Sequence, residues 1–196
     1  MFVLGLTGSI GMGKSTTAQM FVEEGCALWD ADAAVHRLYA EGGAAVPLIR
    51  EMFPAAIEDN AVSRARLKDI IVADPTTLER IESIVHPLVA EDRAAFIAQA
   101  TSDIVVLDIP LIFETGGETK VDAVACVIID PDTQAARVMA RGTMSRAQFE
   151  AIRAKQLPAD EKAARSKYVI ETDTIEHARR QVQAVVKDIR ENQIHA

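Results

Sequence analysis

Apolar residues along the chain follow two rhythms. Short, almost unbroken apolar runs occur at Phe2–Leu6, Cys26–Trp29, Ile104–Leu107, Val124–Ile129 and Tyr168–Ile170. They lack the polar alternation of a half-exposed strand, so they read as strands covered on both faces. Between them, apolar residues recur every three or four positions, which predicts helices. These cover Lys14–Glu24, Ala33–Ala40, Thr133–Arg141, Arg146–Gln156 and Ala159–Arg165. A last helix carries Ile175, Ala178, Val182, Val185 and Ile189 on one face. Gly25 stops the first helix. Asp32 is placed to cap the second. Pro47 to about Val72 reads as helix in pieces, without a strong strand. Pro75–Ala100 is one long helical pattern broken at His86-Pro87, where proline removes a donor and crowds the preceding turn.

Strands alternating with helices predict a parallel sheet with helices on both faces. Ligands of such sheets bind at the carboxyl ends of the strands. The first such end carries Gly8-Ser9-Ile10-Gly11-Met12-Gly13-Lys14-Ser15, a full match to GxxxxGK[ST] between a strand and a helix. Glycines let the backbone turn tightly and aim its N–H groups at phosphate oxygens. The helix start adds partial positive charge. Lys14 brings a cation for the β- and γ-phosphates, and the Ser15 hydroxyl is a ligand for Mg²⁺. Such a loop serves kinases, GTPases and motors alike. The asparagines Asn60 and Asn192 do not fit an NKxD base-reading motif, and Asp108 is followed by Ile109-Pro110 rather than by Glu. A kinase using ATP is the expected class.

Two carboxylates, Asp30 and Asp32, stand at the end of the second strand. On an extended segment they would point the same way, and mutual repulsion would favour one as a base. Phosphoryl transfer needs positioning, charge neutralisation and a group that accepts the hydroxyl proton. Asp32 is the candidate for that group, and an ordinary helix cap is the equal alternative. Asp108 is either a Mg²⁺ carboxylate or a turn residue before Pro110, the former being preferred.

The remaining composition narrows the class. The chain has 196 residues and a net charge of −8, which argues against a generic nucleic-acid binder. Twelve of the 21 Lys and Arg fall between Asp130 and Arg190, where a solvated helical surface accounts for most of them. Cys26 and Cys126 each sit in an apolar run, which predicts buried thiols. The amino terminus has no cationic region of a secretory signal, and no run nears the ~20 apolar residues of a membrane span. A soluble cytoplasmic protein is expected.

Five segments, in order, resemble the dephospho-CoA kinase family. They are GLTGSIGMGKS from Gly5, WDADAAVHRL from Trp29, a middle region with Ser63–Leu67, Asp74-Pro75 and His86-Pro87-Leu88-Val89, the Asp108–Glu114 segment DIPLIFE, and Arg137–Arg141 with Gln156. The resemblance runs from Gly5 to about Ile189. It implies a three-layer α/β P-loop NTPase fold with a five-stranded parallel sheet. The core would be about 1–41, 101–140 and 166–196, the helical substrate lobe about 42–100 and the lid about 141–165. It implies transfer of the γ-phosphate of ATP to the 3′-hydroxyl of dephospho-CoA, with Mg²⁺. Asp32 would be the base and Lys14 a second catalytic group. Gly8, Ser9, Ile10, Gly11, Met12, Gly13, Lys14, Ser15, Thr16 and, from the lid, Arg141 would hold the nucleotide. Thr7, Asp32, Arg64, His86, Arg93 and Pro110 would line the substrate side, and Ser15 and Asp108 would hold the metal. Departures from the family pattern fall at Val72, at Ser166-Lys167, at Glu171-Thr172 and at Gly142 after Arg141. Those after the last strand bear on selectivity for the nucleotide base. A nucleoside or nucleotide kinase is the alternative enzyme, and a nucleotide-dependent switch without transfer activity is the alternative of another class.

Overall fold

The computed structural model describes residues 1–193; the last three positions of the expected 166–196 core segment lie outside the described residues. In chain order the elements begin β1 (Phe2–Thr7), α1 (Lys14–Glu23), β2 (Ala27–Asp30), α2 (Ala31–Tyr39), α3 (Ala45–Met52), β3 (Ile57–Glu58) and β4 (Ala61–Val62). Next come α4 (Arg64–Ala73), α5 (Thr77–Gln99), β5 (Ile104–Asp108), β6 (Ala123–Ile128) and α6 (Pro131–Ala140). The last are α7 (Arg146–Lys155), α8 (Ala159–Arg165), β7 (Tyr168–Glu171) and α9 (Ile175–Asn192). Two compact units result: Met1–Trp29 with the chain from Ala100 on, and Asp30–Gln99.

The first unit holds a five-stranded sheet in the order β2-β5-β1-β6-β7. Central β1 pairs in parallel with β5, Leu4 opposite Val106, and with β6, Leu4 opposite Ala123. Every residue of β5 is buried, as are Ala123–Val127 of β6, as expected of strands covered on both faces. Leu4, Leu6, Val106 and Val127 share one core with Ala18 and Phe21 of α1 and the apolar stripe of α9. That stripe, Ala178, Val182, Val185, Val186 and Ile189, recurs at helical spacing. Cys26 and Cys126 are buried free thiols. Burial pushes both up to about 11, with Arg190 partly opposing this at Cys26 and Lys162 at Cys126.

The second unit is helical around Leu38, Val46, Ile49, Phe53, Leu67, Ile81 and Val85. Three details differ from the pattern reading. A small antiparallel hairpin, β3 with β4, lies within the stretch read as helical pieces, and it turns through Asp59 and Asn60 with φ of 47° and 60°. Asp and Asn tolerate this left-handed region better than other side chains. Helix α5 runs unbroken through Pro87, which is exposed. The proline costs one backbone bond in a 23-residue helix whose Ile81 and Val85 are anchored in the core. Finally, the backbone is extended only as far as Asp30, which caps α2 by accepting from the Ala33 amide at 2.9 Å. Asp32 is already helical, so it is not the cap and does not pair with Asp30 across an extended segment. Among the described residues no helix is long and apolar enough to cross a membrane.

Candidate active site

The loop from Gly8 to Gly13 leaves β1 and feeds α1. Gly11 and Gly13 take φ of 80° and 87°, where a side chain would be strained. A Cβ on Gly11 would lie 2.4 Å from Val138, so the loop is also packed too tightly there for anything larger. Gly13 is the N-cap of α1 and offers the first-turn amides no side-chain acceptor, the arrangement of a helix start suited to an anion. Ser15 and Thr16 sit exposed on that first turn, and Ser9 is buried.

Three side chains from distant elements hold this loop. Gln134 of α6 donates to the Ile10 carbonyl at 2.7 Å. Thr172, just past β7, donates through its hydroxyl to the Met12 carbonyl at 2.7 Å. The Gln156 amide oxygen lies 3.4 Å from the Ile10 amide. Arg137 braces Thr172, with Nη1 3.1 Å from the hydroxyl and Nη2 2.7 Å from the carbonyl. Gln134, Arg137 and Thr172 were not among the candidates from sequence. Arg137 stood in a motif that carried resemblance, and Thr172 stood out only as a departure.

Lys14 forms an ion pair with the buried carboxylate of Asp108, at the end of β5. Thr7, fully buried, donates to the Pro110 carbonyl at 2.9 Å. Lys14, Ser15, Asp108 and Pro110 therefore gather at the carboxyl ends of β1 and β5. The Ser15 hydroxyl and the Asp108 carboxylate are hard oxygen donors, the set Mg²⁺ takes when it keeps several waters and shares phosphate oxygens. Arg141 is exposed at the C-cap of α6. With Arg137, Gly13, Thr16, Thr17 and Thr172 it lines a cavity of about 240 Å³.

In the second unit, Asp32 is exposed in the first turn of α2. Arg64 begins α4, behind the Ser63 cap. Its guanidinium reaches 3.5 Å from the Asp32 carbonyl and 5.9 Å from the centre of the Tyr39 ring. Burial raises the Tyr39 pKa, and Arg64 opposes that shift. His86 and Arg93 stand two turns apart on α5, His86 exposed and Arg93 half-buried. Positions seven apart share a helix face.

A phosphate loop at the head of a parallel sheet, its lysine against an acidic strand end, defines a P-loop kinase fold. A family model described as Dephospho-CoA kinase matches residues 2–177. A Ruegeria pomeroyi dephospho-CoA kinase is 70% identical over 195 residues, covering 100% of this chain and 99% of the relative. The chain belongs to the dephospho-CoA kinase family. A crystal structure of a Thermus thermophilus protein, TT1252, aligns with a TM-score of 0.85 at 29% identity, covering 96% and 97% of the two chains. A dephospho-CoA kinase structure from Campylobacter jejuni aligns at 0.70 and 21% identity over 95% and 96%, which speaks to the fold.

Proposed function

We propose that the chain transfers the γ-phosphate of ATP to the 3′-hydroxyl of dephospho-CoA, giving CoA and ADP. The observation that carries this reading is the loop itself, with Lys14 on Asp108, in a chain 70% identical end to end to a dephospho-CoA kinase. Loop amides and Lys14 bind the phosphates. Lys14 also offsets charge that develops as the phosphoryl group moves. Gly8, Ser9, Ile10, Gly11, Met12 and Gly13 supply backbone, and Ser15 and Thr16 supply hydroxyls. The nucleotide base lies in the cavity between Arg137, Arg141 and Thr172. Ser15 and Asp108 would hold Mg²⁺, which when bound neutralises phosphate charge. Asp32 accepts the proton of the 3′-hydroxyl, while Thr7, Arg64, His86, Arg93 and Pro110 serve the dephospho-CoA side. Residues 141–165 act as a lid over the nucleotide. The reaction is cytoplasmic.

The test is ADP release with MgATP in the presence and absence of dephospho-CoA, with the product identified by mass. Release that requires dephospho-CoA, with a gain of one phosphate, is the expected result. Release independent of it would overturn the acceptor. Asp32→Asn should bind ATP as the wild type does and lose about 10²–10⁴-fold in kcat, the usual contribution of a general base. Turnover within a few-fold of wild type would remove Asp32 from that role.

A further inference from the structure

Lys162 is completely buried in α8, at 0% exposure. Lysine almost never takes such a position unless it is paired. Here the ammonium stands 2.8 Å from Glu114 Oε1 and donates to the Pro110 carbonyl at 3.0 Å. Replacing a buried ion pair by apolar side chains is often neutral or stabilising, so fold stability is a weak reason for this residue. What the ammonium touches is more informative.

Pro110 lies two residues beyond Asp108, and its carbonyl also accepts the Thr7 hydroxyl. The Ile109 amide donates to the Leu6 carbonyl at 3.0 Å. The turn that carries Asp108 is thus tied to β1 through Leu6 and Thr7, and to α8 through Lys162. Glu114 closes the far end, accepting the Leu157 amide at 2.9 Å ahead of α8. Burial alone would raise the Glu114 pKa. The hydrogen bonds from Lys162 and Leu157 outweigh it and hold the carboxyl below the ordinary glutamate value. One turn along, Arg165 pairs with Glu118 at 2.5 Å and lies 4.4 Å over the Phe113 ring. The contacts of Lys162 and Arg165 join α8 to the segment that follows β5.

We propose that Lys162 is a positioning residue for phosphoryl transfer: through Pro110 and Glu114 it fixes the turn that presents Asp108 to Lys14 and the metal. The same contacts make α8 the anchored end of the 141–165 segment. The proposal rests on the kinase reading above, in which Asp108 holds Mg²⁺.

Lys162→Met alone strands the Glu114 charge, so the diagnostic variant is Lys162→Met with Glu114→Gln. Glutamine keeps an oxygen for the Leu157 amide. The double variant should melt close to the wild type. Its kcat should fall about 10–100-fold, the usual cost of losing a residue that orients a metal ligand, with KM for ATP little changed. Calorimetry with ADP, with and without Mg²⁺, should show that the affinity gained from the metal is smaller than in the wild type. A folded double variant with wild-type kcat and an undiminished metal gain would overturn the proposal and leave Lys162 a packing residue. If the wild type fails to phosphorylate dephospho-CoA, the functional reading falls, and the calorimetry, which needs no acceptor, still decides the role of Lys162.

Discussion

Thr172 concentrates several jobs in one short side chain. Its hydroxyl donates to the Met12 carbonyl of the phosphate loop and accepts from Arg137, and its amide donates to the Ile128 carbonyl at 2.9 Å. Valine has nearly the same shape and can make neither hydroxyl bond. At about 0.5–1.5 kcal/mol per net hydrogen bond, Thr172→Val should weaken ATP binding by about an order of magnitude. Titration with ATP at fixed Mg²⁺ checks this, and an unchanged Kd would mean that the loop holds its shape without the tether. The phosphate loop was legible in sequence because its chemistry is written into consecutive residues. Thr172 and Gln134 were not, because each acts on a loop more than 120 positions away. No local spacing reports such a partnership. Asp32 illustrates the opposite error, in which a local rule was sound and its assignment slipped by two positions, since Asp30 makes the capping bond.

Among elements, α8 is where a pH dependence is expected. Its partner Glu114 has a folded pKa below the ordinary value, held there by Lys162 and the Leu157 amide against the opposing effect of burial. A carboxylate of this kind stabilises the fold fully above its unfolded pKa and loses that contribution as pH falls through the folded value. Thermal melts between about pH 6 and pH 3 should therefore show a steeper acid limb for the wild type than for Glu114→Gln. Equal slopes would assign acid sensitivity to other carboxylates. The helices and strands of the first unit were readable because burial on both faces leaves apolar runs, and burial on one leaves stripes. The β3–β4 hairpin was not, because strands of two residues are too short to show a period, although Asp59-Asn60 was a turn signal in plain view. The unbroken α5 shows that packing can carry a helix across a proline that local rules would use to end it.

For the whole molecule, the sheet order has a consequence in time. β1 is made well before both of its partners and cannot settle until they follow. Its partners lie about a hundred residues on, with Phe2 opposite Ile104 and Leu4 opposite Ala123. Asp30–Gln99, by contrast, closes its core within seventy consecutive residues. Loop closure must precede reward in long-range pairing, so sheets of this kind form slowly. In refolding followed by pulsed hydrogen exchange, amides of α3 and α5 should gain protection before those of β1. The reverse order would show that the sheet nucleates the chain. During synthesis, the strand that later presents the phosphate loop must wait, apolar and unpaired, while more than half of the protein is still being made, which makes that interval the period of greatest exposure to aggregation.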